Sequence, residues 1–428
     1  MNAWLVTIGE PVPLGMASAD RPHRTGTFAA LLARRGHQVT WWTSNFDHFR
    51  KRTVGRAGET PIAPGFEAFL LEGGGYRSNV GLARLRDHRR IAVGFRNAAV
   101  RRPDPDIVVA ALPSVDLALE AVRYGQSRGV PVVLDMRDMW PDIFVEVLPR
   151  FLRGIGRLGM APLFRLSREA CAGATAITGI TDAFVDWGVA RGDRPRTPLD
   201  RSFPMGYVSS SPPADRLQEA EAFWRAKGLA AESGRFVACF IGSIGRQFDF
   251  DSILGAARIL AAGSVPVSFV LCGTGDRQKE VAARAKELPN VLLPGWIDGA
   301  QVHVLLRRSS VGLDPLPNRF DYLATINNKC IEYLSAGLPV VSCPDTGTIA
   351  ELLRVERCGL SYPTSKADAL AGILRRLAED PGERQRLAEN AVRVYQQRFV
   401  AETVYAQMAD YLQDVVSAFR GTSPRRDS

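Results

Sequence analysis

Long apolar runs are missing from this 428-residue chain: none approaches the ~18 residues that cross a bilayer. Its opening, MNAWLVTIGE, has neither a basic lead-in nor a small-residue cleavage site, so it reads as a strand and not as an export signal. Histidine is scarce, limited to His23, His37, His48, His88 and His303. The six cysteines, Cys171, Cys239, Cys272, Cys330, Cys343 and Cys358, include no C-x-x-C pair. Several lie in apolar runs such as FVACFIG and VSFVLCG and read as reduced core residues of a cytosolic protein, without structural zinc. No internal repeat is evident, which excludes a solenoid.

What is present is ordinary for a globular chain: 46% hydrophobic and 23% charged residues. At roughly 150 residues per domain, the length implies two or three domains. Lys and Arg number 54 against 45 Asp and Glu, a net charge of +9, which suggests an anionic partner: nucleic acid, a phosphorylated substrate or a lipid surface. Arg84–Arg102 holds seven arginines and one acid, Asp87, and Arg150–Arg168 holds five arginines and no acid. In the second stretch Phe151, Leu152, Ile155, Leu158, Met160, Leu163 and Phe164 stand between the charges, a pattern suited either to a membrane interface or to a solvated helix face. Gly154, Gly156, Gly159 and Pro162 weaken a continuous helix there.

Short β-rich runs alternate with segments of helical period, the pattern of βα units feeding a parallel sheet, and this happens twice. The first half offers strands at AWLVTIG, HQVTWWTS, DIVVAALP, PVVLDMRD and ATAITGI, with a helix over Thr27–Arg35 ending at Gly36. The second offers FVACFIG, VSFVLCG, NVLLPGW, SVGLDPL, PVVSCP and CGLSYP. Turn residues crowd 195–214, which sets the expected organisation. Residues 1–200 form an acceptor-binding Rossmann-like domain, 201–214 a linker and 215–400 a donor-binding Rossmann-like domain. Residues 401–420 form a helix packing back toward the first domain, and 421–428 a disordered tail. Ligands of such open α/β sheets bind beyond the carboxyl ends of the strands, so an interdomain cleft is the expected active site.

Three stretches carry candidate chemistry. FIGSIGRQFDFDSIL runs from strand through a glycine turn to helix, so amides near Gly245 and the helix start can face an anion, with Arg246 beside them. The pattern G-S-I-G is neither a dinucleotide fingerprint nor a Walker loop, and a plain βα turn with a solvated arginine is the competing reading. In LCGTGDRQKE, Gly273 and Gly275 permit close backbone approach, although a tight turn capped by Asp276 explains them nearly as well. The richest stretch, LDPLPNRFDYLATINNKCIEYLSAGLPVVS, places Asn328, Lys329 and Glu332 on a short helix stopped by Gly337. Lys329 and Glu332, three apart, share a face: the cation suits a diphosphate and the carboxylate suits ribose hydroxyls, unless the two form a structural salt bridge.

The block N-N-K-C-I-E-Y-L-S-A-G-L-P-V-V-S resembles the signature of the family-4 retaining glycosyltransferases of the GT-B fold, in the branch that builds bacterial polysaccharides and O-antigens. GTFAALLARRGHQVTWWTS resembles that family's first helix and second strand, LDMRDMWPD its R-D-x-W-P element, and IGSIGRQFDFDSIL the turn that meets the donor diphosphate. The likeness runs collinearly over roughly residues 3 to 400. It implies two Rossmann-like doubly wound parallel sheets and transfer of a sugar from a nucleotide diphosphate sugar to a hydroxyl, with retained configuration and no required metal or cofactor. Glu332 matches the second glutamate of an E-x7-E pair, which contacts the donor ribose, while the first falls on Ala324. Gly26 is the candidate for close approach to the donor phosphates, with Gly15 in reserve, and Trp296 lies where the base-binding loop is expected.

Breaking an anomeric bond leaves a cationic sugar and a diphosphate that gains charge, so fixed positive charge and amides are what the reaction needs. Arg246, Lys329 and the amides at Gly245 supply them, and a front-face reaction lets the leaving phosphate take the acceptor proton, which agrees with so few histidines. His37 reads as structural. His23 and Asp138 are candidates for acceptor contact; Arg137 alternates with Asp138 to the opposite side, and one of that pair is expected to be functional. The sequence thus predicts a cytoplasmic enzyme, peripheral on the inner membrane face, acting on a lipid-linked or glycan acceptor and not on nucleic acid. Its rivals are a nonhydrolysing sugar-nucleotide epimerase, which needs a histidine and carboxylates in the cleft, and a basic nucleic-acid-binding α/β protein, which needs aromatics beside the arginines where Arg84–Arg102 has only Phe95.

Overall fold

The computed structural model describes residues 1–14, 22–78, 81–230 and 234–422. Two compact units divide the chain, one of Met1–Gly206 with Ala401–Ser428 and one of Tyr207–Val400. The first contains β1 (Asn2–Val6), α1 (Arg24–Arg34), β2 (Gln38–Ser44), β3 (Phe46–Asp47), β4 (Arg52–Thr53), β5 (Gly58–Ala63), β6 (Phe66–Leu71), α2 (Leu82–Ala99), β7 (Ile107–Leu112), α3 (Val115–Arg128), β8 (Val132–Met136), α4 (Asp142–Glu146), α5 (Arg153–Gly159), α6 (Ala161–Gly173), β9 (Ala176–Gly179), α7 (Asp182–Arg191) and β10 (Arg201–Ser202). The second contains α8 (Ala214–Ala226), β11 (Phe236–Ile241), α9 (Phe250–Ala262), β12 (Val267–Cys272), α10 (Gln278–Ala285), β13 (Val291–Gly295), α11 (Gly299–Arg308), β14 (Val311–Pro315), α12 (Phe320–Ala324), α13 (Asn328–Ser335), β15 (Val340–Cys343), α14 (Thr348–Glu356), β16 (Gly359–Ser361), α15 (Ala367–Glu379) and α16 (Pro381–Arg398). The last helix, α17 (Ala401–Thr422), belongs to the first unit.

Each unit is a doubly wound sheet. The first runs β10-β9-β8-β7-β1-β2-β6-β5, parallel throughout except for the β5–β6 hairpin. The second runs β13-β12-β11-β14-β15-β16, all parallel. Central strands such as IVVAAL of β7 are buried along their whole length, as a strand covered by helices on both faces must be. All six cysteines are free and buried. The β5–β6 hairpin was not expected: GETPIA alternates between half-buried and exposed, the weak pattern of an edge strand. The glycine-rich arginine stretch stays helical, through a 3-10 turn at Arg150–Leu152, then α5 and α6. Pro162 falls in the first turn of α6, where a missing N–H costs nothing.

The core of the first unit is unusually aromatic. Trp4, Trp41 and Trp42 are fully buried, and Trp42 stacks on Phe69 with centroids 4.4 Å apart. α17 lays Val404, Tyr405, Met408, Leu412 and Val415 against Phe28, Leu31 and Leu32 of α1 in one apolar cluster. Ion pairs Arg34–Glu402 (2.8 Å) and Arg35–Asp410 (2.6 Å) flank that seam in solvent and add little.

A buried charge network fixes α1 to the sheet. Arg24, in the first turn of α1, donates from Nε to Asp135 Oδ2 (2.9 Å) and from Nη2 to Oδ1 (3.1 Å), and its Nη1 donates to the Pro204 carbonyl (2.9 Å). Arg137 (2.7 Å) and the Thr178 hydroxyl (3.1 Å) complete the shell of Asp135. Burial alone would raise the Asp135 pKa, but the two guanidiniums outweigh it and hold the carboxyl well below the usual carboxylate range.

Asp135→Asn strands the Arg24 guanidinium in the core and is expected to cost about 3–5 kcal/mol, read as a lowered urea midpoint of the first unit's tryptophan fluorescence. An unchanged midpoint would show that the network is not structural. A second expectation concerns His88, which is buried on α2, stacks on Trp140 (5.7 Å, 19°) and accepts from Arg84 Nε at Nε2 (3.4 Å). Burial, with Arg84 nearby, lowers its pKa from 6.5 to about 3. Between those values the unfolded chain binds a proton that the folded chain refuses, so stability falls as pH drops from about 6 toward 4, by roughly 1.4 kcal/mol per pH unit. His88→Gln should lower the slope by that amount in urea titrations run at several pH values, and an unchanged slope would refute the assignment.

Candidate functional site

In the second sheet the strand order reverses between β11 and β14, and the crevice beyond their carboxyl ends is where open α/β sheets bind ligands. Two glycine turns build one wall. Gly242 (φ +154°) follows β11 and donates to the Cys272 carbonyl (3.0 Å), while Gly273 (φ +135°) follows β12 and donates to the Gly295 carbonyl (2.8 Å). The turns touch backbone to backbone: a Cβ on Gly273 would fall 1.7 Å from the Gly242 oxygen, and one on Gly275 2.3 Å from the Ile244 oxygen. Glycine is required at both positions by contact with the neighbouring turn.

Opposite these turns sits Lys329. α13 begins at Asn328 because the Asn327 side chain caps it, accepting from the Cys330 amide (3.0 Å). The Asn327 amide group then donates to both carboxylate oxygens of Asp314 (2.9 and 2.8 Å). Asp314 lies at the end of β14, fully buried, and also accepts from Ser342 Oγ (3.3 Å). Lys329 Nζ lies 3.7 Å from Asp314 Oδ1 and over the rings of Phe248 (4.1 Å) and Phe240 (5.5 Å). Burial pushes its ammonium pKa down against the pull of Asp314, and burial pushes the Asp314 carboxyl up against Lys329, Asn327 and Ser342. A Cβ on Gly242 would meet Lys329 Cε at 3.3 Å, so the stem of the lysine runs along the bare glycine turn.

The other sequence candidates of this unit fall around that pair. Glu332, one turn on, accepts from the Tyr207 hydroxyl (2.5 Å), and the Tyr207 carbonyl accepts from Tyr395 (3.0 Å). The salt-bridge alternative for Lys329 and Glu332 therefore gives way to separate partners, Asp314 and Tyr207. Asn328 is exposed at the helix start, and Trp296 is 72% exposed just after β13. Gly245 is buried in the turn before α9. The start of α9 is not vacant for an anion, since Asp249 caps it, accepting from Ser252 N (3.0 Å) and Ser252 Oγ (2.6 Å). Anion-facing amides must come from the turn itself. Arg246 stands 84% exposed, its Nε 3.3 Å from Asp276, which also accepts from the Arg246 amide (3.2 Å).

The candidates of the first unit are arranged differently. Gly26 is the third residue of α1, buried, and a Cβ there would meet Pro22 at 3.4 Å and Trp41 at 3.7 Å, ordinary contacts. The anion seat at this helix start is taken by the chain's own Glu10, which accepts from Thr25 N (2.9 Å) and Thr25 Oγ1 (2.7 Å) and pairs with Arg137. Arg137 is thus bound into the network of Glu10, Thr25 and Asp135. Gly15 lies outside the described residues. His23 is exposed as the residue before α1, edge-on to Phe49 (5.6 Å). Asp138 accepts from the Met139 amide (2.9 Å) and raises the pKa of Arg84, which burial lowers more. Arg84 covers the Trp140 ring (4.5 Å) and the Tyr76 ring (5.7 Å), and the Tyr76 hydroxyl meets His48 Nδ1 at 2.6 Å. Burial, Lys51 and Arg84 lower the His48 pKa to about 4, so the ring is neutral near pH 7. Arg84 therefore links Trp140, which is buried between it and His88, to Tyr76 and His48. No group of three or more His, Cys, Asp or Glu is placed to hold a metal among the described residues.

Sequence reading missed Asp314, Asn327, Phe240, Phe248 and Tyr207 in the second unit, and Glu10, Arg24, Asp135 and Arg84 in the first. The available signal was a carboxylate inside an otherwise apolar strand, as in VGLDP and VVLDM, because a buried charge needs a partner.

Residues 235–380 match the family described as "Glycosyl transferases group 1". Among characterised proteins, the chain is 23% identical over 256 residues to the alpha-D-kanosaminyltransferase of Streptomyces kanamyceticus, a match covering 58% of this chain and 62% of that protein's length. Among solved structures, sucrose-phosphate synthase from Thermosynechococcus elongatus superposes with a TM-score of 0.72 at 17% identity, covering 97% of this chain and 99% of the other. Anabaena HepE, solved in complex with UDP-glucose, superposes with a TM-score of 0.62 at 16% identity over 97% and 100% of the two chains. Two Rossmann-like units that superpose on these neighbours show the GT-B fold, and the group 1 glycosyltransferase match falls on the second of them.

Proposed function

We propose that the protein is a retaining glycosyltransferase that moves a sugar from a nucleotide diphosphate sugar to a hydroxyl of a lipid-linked or polysaccharide acceptor, at the cytoplasmic face of a membrane. The observation that carries this reading is Lys329. It is a nearly buried ammonium beside a bare glycine turn at the switch point of a parallel sheet, with one buried carboxylate as its partner. Its ammonium has three N–H donors and a single carboxylate partner at 3.7 Å, so donors remain for a diphosphate. The UDP-glucose held by HepE and the sugar transferred by the kanosaminyltransferase support the substrate class.

In the reaction the bond between the anomeric carbon and the phosphate oxygen breaks, and its electrons leave on the diphosphate. The acceptor oxygen bonds the anomeric carbon from the same face, and its proton passes to the departing phosphate. Lys329 and the amides of Ser243 and Gly245 stabilise the charge that grows on that phosphate, since the Gly242, Ile244 and Arg246 amides of the same turn already donate to Cys272, Thr274 and Asp276. Glu332, oriented by Tyr207, receives the ribose hydroxyls, and backbone near Trp296 meets the base. The first unit presents the acceptor across Asp138, Arg84 and the Trp140 loop, with His23 at its margin. The epimerase alternative finds no histidine beside Lys329 among the described residues.

A panel of nucleotide sugars incubated with membranes and the protein, read as released nucleoside diphosphate and labelled lipid, tests the proposal. Lys329→Met should lower kcat about 10²–10³-fold, and Glu332→Gln should act mainly on donor KM. Turnover at wild-type rate in folded Lys329→Met would overturn the reading. Because burial depresses the ammonium pKa, activity should decline on the alkaline side below the ordinary lysine value of 10.5, as the charge is lost with rising pH. Gly273→Ala, which forces a methyl into the Gly242 carbonyl, should abolish donor binding by calorimetry; retained affinity would separate the glycine turns from the donor site.

A further inference from the structure

Large apolar side chains stand in solvent along one short segment of the first unit. Val147, Phe151, Ile155 and Leu158 are 59, 82, 70 and 78% exposed. Phe151, Ile155 and Leu158 recur at i, i+4 and i+7, so they form one stripe along the 3-10 turn and α5. A stripe of this size on a soluble surface marks a docking face.

The charge beside it says what docks. In the same region, residues of α4 to α7 line an open pocket of about 570 Å³ with Arg157, Arg165, Arg168 and Arg191, beside Asp142 and Phe164. Arg191 gives one arm to Asp142 and lies over the rings of Phe164 (5.0 Å) and Trp187 (5.2 Å), while its Nε is buried without a hydrogen-bond partner. Arg157, Arg165 and Arg168 are exposed and form no ion pair among the described residues. Four guanidiniums thus face a space holding one carboxylate, already engaged, and a buried donor there goes unanswered, which a phosphate oxygen would correct.

We propose that this face docks on an anionic bilayer, with the phosphate of a lipid headgroup entering the arginine-lined pocket and Phe151, Ile155 and Leu158 sinking into the interface. Among the described residues no helix is long and apolar enough to cross a membrane, so this attachment is peripheral. It combines two signals, apolar insertion and basic charge, as stable surface binding requires. The proposal goes beyond sugar transfer and does not depend on it, since a chain without turnover would still dock.

Flotation with phosphatidylcholine vesicles, with and without phosphatidylglycerol and at low and high salt, tests it directly. The wild type should float with phosphatidylglycerol vesicles and be released by salt. At ~1 kcal/mol per cation, Arg157→Gln/Arg165→Gln/Arg168→Gln should lose roughly a hundredfold in lipid affinity. Ile155→Ser/Leu158→Ser should lose about tenfold or more at either salt concentration. All five positions are exposed, so thermal unfolding should be unchanged, and donor binding measured on the same variants keeps a failure here separate from a failure of the transferase reading. Absence of wild-type flotation, or flotation indifferent to both variants, would overturn the proposal. So would a dimer in light scattering that Ile155→Ser/Leu158→Ser dissolves, since the stripe would then be covered by a second copy.

Discussion

The second unit is organised around a carboxylate that water does not reach. Asp314 ends β14 at the point where the sheet reverses its order, and an ionised group there costs several kcal/mol unless it is surrounded by donors. Asn327 answers it with both amide hydrogens while its carbonyl oxygen caps α13. One side chain therefore neutralises a strand end and starts a helix. That start sets the phase of α13, which brings Lys329 to Asp314, Tyr333 under β11 to accept from the Ile241 amide (3.1 Å), and Glu332 to Tyr207.

The first unit solves a similar problem to a different end. Asp135 also sits inside a central strand, but its partners are two arginines, one of them locked in the first turn of α1. Glu10 then fills the helix start from outside, so charges cancel locally and the network is closed. In the second unit the lysine has only one carboxylate and two aromatic faces, and the neighbouring turn carries no side chain at Gly242. Both networks balance their charges, but the lysine of the second unit keeps N–H donors beside a turn that carries no side chain at Gly242.

Much of the fold was legible because both sheets are parallel and covered: a buried strand must be continuously apolar, and runs such as IVVAAL and FVACFI have few other uses. The β5–β6 hairpin was not, because an edge strand half in solvent has no such signature. At the site, Lys329 and Glu332 were visible as a cation and a carboxylate on one helical face, yet their partners were not, because Asp314 and Tyr207 are 15 and 125 residues away and no local period links them. Gly26 looked like a phosphate turn from its neighbours in sequence. Its place inside α1 against Trp41 follows from the helix starting three residues before the first strongly periodic position.

The charge of the chain divides by the depth at which it is held. Arginines on the long helices pair with carboxylates in solvent, as Arg123 does with Glu120 and Glu169, and contribute little beyond solubility. Within Arg150–Arg168, Arg153 turns to Glu146 (2.7 Å), while Arg157, Arg165 and Arg168 stay exposed and keep an outward field beside apolar side chains. Lys329 is the opposite case: its charge is screened from solvent, depressed by burial and backed by one carboxylate whose own ionisation burial opposes. An added diphosphate stabilises the ammonium form and is stabilised by it, and that mutual gain grows as the leaving phosphate acquires charge. A surface arginine such as Arg246, 84% exposed and facing Asp276, gains far less from the same event, because water already answers it. Of the two cations proposed for the leaving group, the buried lysine is therefore the one whose removal the reaction should feel.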